Sequence, residues 1–142
     1  MSGLSKDAIK TKLSDALNSF LAQNKALTHS GVQHKPTETM DSPIVVEDCL
    51  KSNKFQLLFQ IIPLILKHSD RKSIGSYSGK HVVEKLLTPS YISNGEFILA
   101  LVALGYKYKI KKDSLNVQFY GCWTDPPLYD EVKYPFEIKP IE

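Results

Sequence analysis

Cysteine, methionine and tryptophan are scarce in this chain, at two, two and one of 142 residues. Cys49 and Cys122 stand far apart and neither belongs to a C-x-x-C pair, so spacing writes neither a zinc framework nor a redox pair. Reduced thiols are the expectation. No basic stretch leads into a hydrophobic one at Met1, and no Asn-x-Ser/Thr sequon occurs, which favours a reducing cytoplasmic or nuclear setting over secretion. A long apolar run is also missing. The stretch from Phe55 to Leu66 is broken by Gln56, Gln60 and Pro63 and falls short of the roughly 18 to 20 residues that span a bilayer. It reads as a core helix, and no membrane insertion is expected.

What is present is an ordinary globular composition, 42% apolar and 23% charged, which argues against wholesale disorder, collagen-like repetition and a disulfide-dense scaffold. The length suits one domain with tails. The net charge of +3 hides a segregation. Residues 1–50 carry five Lys against six acids, 51–123 eleven Lys/Arg against four, and 124–142 two Lys against five. A basic middle is the footprint of a protein that meets phosphate or an acidic partner, or an ordinary solvated surface partly neutralised by its own tail.

The periodicity predicts an α+β chain: a mainly helical core, a β-hairpin toward the C-terminal side, and an extended C-terminal arm. Leu4, Ala8, Ile9, Leu13, Ala16, Leu17, Phe20 and Leu21 recur at helical spacing, so residues 1–27 hold an amphipathic helix, roughly 5–24. Its stripe packs on the domain or on a partner helix. Residues 28–43 turn to Thr, Ser, His, Gly and Pro without periodicity and read as an exposed linker. In 44–120, Ser52 or Asn53 can cap a helix from Lys54, with Pro63 kinking or shifting it. A polar loop runs from His68 to Ser78. Ser78 can cap a helix through Leu87, ended by Thr88-Pro89. Ser93 or Asn94 can cap another, with Glu96 near its positive end and Gly105 as its stop. That last helix is apolar on every side and is predicted to be the most buried. Tyr106, Tyr108 and Ile110 then alternate with Lys107, Lys109 and Lys111, and Val117 and Phe119 with Asn116 and Gln118, which predicts a hairpin with a lysine face. Residues 121–142 interleave Trp123, Tyr129, Tyr134 and Phe136 with prolines and read as an arm that lies on its own domain or on a neighbouring subunit.

The order helix, turn, helix, hairpin from Gly79 to Tyr120 is that of a winged helix. Its second helix lacks the Arg, Lys, Asn or Gln that reads base edges after Glu96, so sequence-specific readout through it is not expected. Lys107, Lys109, Lys111 and Lys112, with Arg71, Lys72 and Lys80, can still hold phosphates, and Tyr106 or Tyr120 can stack on an unpaired base. The stretch Gly75 to His81 resembles a phosphate loop but is one residue short, and His81 replaces the magnesium-binding hydroxyl. His81 and Glu84 share a helix face, the minimum for an acid–base or ligand pair, but two groups are too few for a catalytic or metal site. No nucleophile motif surrounds Cys49, Cys122 or any serine, so neither an enzyme nor a cofactor is expected. Pro126-Pro127-Leu128-Tyr129 matches the short Pro-Pro-x-Tyr pattern of WW-domain ligands, in which a preformed extended helix docks into an aromatic groove.

Ser76-Tyr77 with Lys80-His81 and Glu84, then Tyr91, Asn94-Gly95, Phe97-Ile98, Ala100, Gly105-Tyr106 and Asn116, is similar to a pattern in short uncharacterised proteins of phages, plasmids and large DNA viruses. The resemblance covers about a third of the chain, implies a viral or mobile-element setting and brings no activity. The first helix and the tail lie outside it. The leading expectation is therefore a non-enzymatic interaction or assembly protein, a minor component of a virus particle among its settings. It would bind a partner or itself through Leu13, Leu17 and Phe20 of the first helix and Trp123, Pro126, Pro127, Tyr129, Tyr134 and Phe136 of the arm. The alternative is a winged-helix-like nucleic-acid binder using the lysine hairpin.

Overall fold

The computed structural model describes residues 4–34, 42–124 and 136–141, and these form a mixed α+β fold of five helices and three small sheets. Helix α1 (Lys6–Ala22) starts where the Ser5 hydroxyl accepts from the Ala8 amide, a side-chain cap for one of the first-turn donors. Its stripe of Ile9, Leu13, Ala16 and Phe20 is buried, with Leu13 and Phe20 fully enclosed and Leu17 half-buried against them. Of the two destinations open to that stripe, it packs on its own domain, so Leu13 and Phe20 are not available as a docking surface. The ring of Phe20 lies 5.9 Å from that of Tyr108 in the later hairpin, which joins the first helix to the sheet.

The stretch expected as a linker begins with structure. Strands β1 (Ala26–Thr28) and β2 (Gly31–Gln33) pair antiparallel, and Thr28 and Val32 are buried. Their sequence is too short to show alternation, and they are held by what packs over them rather than by their own periodicity. The short helix α2 (Val46–Cys49) follows, and α3 (Lys54–Ile65) buries Phe55, Leu58, Phe59, Ile61, Ile62 and Ile65. Pro63 sits in its last turn, and the chain passes directly into strand β3 (Leu66–Gly75).

That strand corrects the expected polar loop from His68 to Ser78. It pairs antiparallel with β6 (Val117–Trp123), which also pairs with β5 (Tyr108–Ile110), so the predicted hairpin is two-thirds of a three-stranded sheet of order β3-β6-β5. Register is lost between His68 and Ser73, so Ser69, Asp70, Arg71 and Lys72 bulge from the edge. Helix α4 (Ser76–Glu84) starts two residues before the expected Ser78 cap, because the Ser76 hydroxyl is buried and accepts instead from the Val117 amide at 3.0 Å. Strand β4 (Leu87–Thr88) follows, then α5 (Asn94–Ala103), buried from Asn94 through Leu101.

The described end of the tail lies on its own chain. Strand β7 (Phe136–Glu137) pairs parallel with β4, and the Ile141 amide donates to the Lys51 carbonyl. Trp123 ends β6, half-buried against the core, and Phe136 is 43% exposed on β7. Pro126, Pro127, Tyr129 and Tyr134, and with them the Pro-Pro-x-Tyr motif, lie outside the described residues.

Because the α1 stripe closes the core, truncating it should destabilise the single chain. Leu13→Ala is expected to cost about 2–5 kcal/mol and Phe20→Ala about 3–5 kcal/mol, read by urea unfolding at a concentration where the protein is monomeric. A loss below about 0.5 kcal/mol, the level of a neutral surface change, would remove the stripe from the core.

Candidate functional site

One face of α4 carries Tyr77, Lys80, His81 and Glu84, spaced three and four apart so that neighbours meet. Lys80 and Glu84 are both nine-tenths buried. Glu84 is heavily used: one carboxylate oxygen lies 2.9 Å from His81 Nδ1, and the other accepts from the Ile92 amide at 2.8 Å. Lys80 Nζ reaches that second oxygen only at 3.5 Å. The expected His81–Glu84 contact is therefore present, and the structure adds Lys80 to it. The ammonium lies 5.4 Å from the centre of the Tyr77 ring and 5.7 Å from that of Tyr91, both rings being more than half exposed. Such cation–π contacts attract the charge without consuming its hydrogen-bond donors.

A second, largely buried pair also lies near Tyr91. Lys54 Nζ donates to both carboxylate oxygens of Glu96, at 3.1 and 3.2 Å, and lies 5.7 Å from the Tyr91 ring. Glu96 also accepts from the Ser93 amide while the Ser93 hydroxyl accepts from the Glu96 amide, the reciprocal capping box at the start of α5. The two lysines differ in one respect that matters. Lys54 is hydrogen-bonded to its carboxylate, whereas Lys80 makes no hydrogen bond among the described residues.

Lys80 and the two tyrosines open onto a cleft of about 750 Å³ that is also lined by His29, Asp113 and Asn116. The walls are tied together through Asn94. Its amide nitrogen donates to the Ser30 carbonyl and to Asn116 Oδ1, both at 2.9 Å, joining the turn of the β1–β2 hairpin to the turn between β5 and β6. His29 Nδ1 meets the Ser93 hydroxyl at 2.9 Å, and His34 Nε2 donates to the Ser114 carbonyl at 2.6 Å. Both histidines of the expected linker are thus fasteners of this wall. Gly31, at φ +135°, passes so near that a Cβ there would stand 2.1 Å from the Leu115 carbonyl oxygen, and a Cβ on Gly95 would stand 1.8 Å from that of Thr28.

The remaining basic residues lie elsewhere. Across the sheet Lys67 pairs with Cys122, Ser73 with Tyr120, and Lys109 with Gln118, and alternation puts these side chains, with that of Lys107, on the face turned away from Phe119 and Val117. Arg71 and Lys72 are exposed in the bulge at the edge of that face, their amides donating to the Ser69 hydroxyl. Lys111 and Lys112 are exposed where β5 turns toward β6. Lys107 meets Asp70 at 3.1 Å, but both side chains are more than three-quarters exposed, so water and salt screen the pair. The structure therefore brings Lys107 and Lys109 together with Arg71 and Lys72, leaves Lys111 and Lys112 at the hairpin's tip, and removes Lys80 from the group.

Neither aromatic nor thiol chemistry offers a nucleophile in the interior. The Tyr106 hydroxyl donates to the Leu66 carbonyl beneath a stacked His68, and burial raises its pKa to about 12. Burial, with Glu96 and Asp48 nearby, pushes the Cys49 thiol up to about 12. Among the described residues no group of three or more His, Cys, Asp or Glu is placed to hold a metal, and no helix is long and apolar enough to cross a membrane.

The tyrosines of the cleft were not singled out from sequence as a site, although Tyr77-x-x-Lys80 has the spacing that puts ring and ammonium together. Tyr91 carries no such local signal, because it reaches Lys80 through the turn after Pro89. No protein-family model matches the chain, and no curated protein or solved structure is significantly similar to it.

Two outcomes follow. Gly95→Ala should destabilise the fold by about 1–3 kcal/mol or more, the cost of overpacking, because the opposing atom is backbone; an unchanged thermal midpoint would contradict the close approach. Cys49, held as the neutral thiol at pH 8, should react with an aromatic disulfide reagent only after denaturation. Equal rates in the native and denatured protein would contradict its burial.

Proposed function

We propose that this chain is a non-enzymatic nucleic-acid-binding protein that holds the phosphates of a strand on the outer face of the β3-β6-β5 sheet. The observation that carries the reading is the composition of that face and its edge. Lys67, Lys107, Lys109, Arg71 and Lys72 share that face or its edge with the half-buried Tyr120, and Asp70 is the one acid there among the described residues. Cations spaced along a polar sheet gain binding free energy by releasing the counterions condensed on a polyanion, and a ring among them can stack on an unpaired base of any identity.

The burial of α5 supports contact through the sheet rather than through that helix. A winged helix presents its second helix to the major groove, but here every residue from Asn94 to Leu101 is buried, and none of them is Arg, Lys or Gln. Contact through the sheet and its hairpin, tolerant of sequence and favouring single strands, is what remains of that order of elements. The viral or mobile-element setting implied by the resemblance is compatible with such a role. Self-association through the tail is the second reading, favoured by Phe136, 43% exposed on a short added strand, though α1 no longer contributes to it.

A titration of labelled single- and double-stranded oligonucleotides at several salt concentrations tests the proposal. Binding should weaken linearly on a log–log plot, and for single strands each phosphate contact removed by Arg71→Ala, Lys107→Ala or Lys109→Ala should flatten the slope by about 0.7. Binding absent at low salt, or a slope unchanged in the triple variant, refutes it. A defined oligomer lost on Phe136→Ala, without nucleic-acid binding, selects the second reading.

A further inference from the structure

Lys80 is the feature that the sheet-face reading leaves without a role. A lysine that is nine-tenths buried is normally paired by hydrogen bonds, and even the less buried Lys54, its side chain 16% exposed, donates to both oxygens of Glu96. Lys80 instead faces a carboxylate already occupied by the Ile92 amide and by His81, at a distance too long for a good hydrogen bond. Its three N–H donors lie near two exposed tyrosine rings in the lining of a cleft.

We infer that this cleft is a binding site for a nucleoside phosphate, with the phosphate on Lys80 and the base against the ring of Tyr77 or Tyr91. Three features select that class. The ammonium with spare donors calls for an anionic acceptor, and charge-assisted hydrogen bonds are the strong ones. The flanking rings, 55% and 59% exposed, offer flat apolar surface that a bare phosphate or carboxylate is too small to reach. The opposite wall carries the Asp113 carboxylate and the Asn116 amide, which suit the N–H and hydroxyl groups of a base or ribose and would repel a second anionic group. The volume of about 750 Å³ falls within the usual range for small-molecule sites, roughly 300–1,000 Å³. The N-terminus of α5 borders the cleft but is closed by its own capping box, so the charge of Lys80 rather than the helix end supplies the anion contact.

The same chemistry reaches the cleft as a free nucleotide or as the phosphorylated end of a strand. Calorimetric titration of the full chain with the four ribonucleoside 5′-monophosphates, adenosine, inorganic phosphate, and an oligonucleotide with and without a 5′-phosphate separates these sources. At least one monophosphate should bind, with adenosine and inorganic phosphate each weaker by about tenfold or more, the scale of one charge-assisted contact. Preference for the 5′-phosphorylated oligonucleotide over its hydroxyl form identifies a strand end, and a monophosphate bound more tightly than either identifies the free ligand. Lys80→Met should reduce binding about tenfold or more, as should the removal of both exposed rings in the double variant Tyr77→Ala with Tyr91→Ala, and the single variants show which ring carries the base. Absence of binding by all four monophosphates at millimolar concentration overturns the inference. So does binding unchanged by Lys80→Met and by the double tyrosine variant but abolished by Lys107→Ala with Lys109→Ala, a result that would leave the sheet-face proposal standing.

Discussion

The close approach of α5 to the backbone of two turns is the constraint on which the rest of the structure depends. At the first residues of that helix there is no room for a side chain at Gly95, whose α-carbon faces the Thr28 carbonyl, and the Asn94 amide nitrogen fills the space between Ser30 and Asn116. A helix can sit this close only if its first turn is held without large side chains. The capping box does this with Ser93 and Glu96, one placed to meet His29 and the other Lys54. Each group that closes the helix end thus also fixes an element of another part of the chain. The cleft wall, the β1–β2 hairpin and the turn before β6 are consequences of that packing rather than independent structures.

Charge is divided on the same pattern. Lys54 and Glu96 form a buried pair with good geometry and further hydrogen bonds, the condition under which the attraction of two desolvated charges offsets their loss of water. Lys80 and Glu84 lack that geometry, because the carboxylate is turned toward Ile92 and His81. A pair that satisfies itself leaves nothing for a ligand. One that is incomplete keeps part of its field directed outward, and the tyrosine rings lower the cost of keeping it there. The exposed lysines of the sheet are a third case, screened by water and effective only together, against a partner that is itself multiply charged.

Local patterns carried much of this fold. Helix α5 was legible because cap, acidic third residue and apolar run lie within a dozen positions, and α1 because its stripe recurs without interruption. The lysine hairpin was legible through strict alternation. Strand β3 was not, because Lys67 to Ser73 is polar and mostly exposed, and its pairing is supplied by β6 rather than by a buried face of its own. For the same reason Arg71 and Lys72 read as basic, while their place beside Lys107 did not follow from sequence. Lys80 shows the opposite failure. Charge and position on a helix suggested a surface cation, and its burial includes a contact with Tyr91, brought near by the turn after Pro89, that no local pattern shows.

The burial of α5 links these findings to function. A helix that must supply core on every side cannot also present a reading face, so the two proposed binding surfaces are ones that the core does not need: the outer face of the sheet and the cleft at the helix's N-terminal end. These two surfaces ask for different chemistry. A flat array of mobile lysines binds length and charge, and tolerates any sequence. A buried ammonium between two rings suits one group of defined shape, because its donors are few and the cleft's walls are tied by Asn94. If both surfaces bind phosphate, the sheet face would set how strongly a strand is held, and the cleft would discriminate which part of it, or which small nucleotide, is held there.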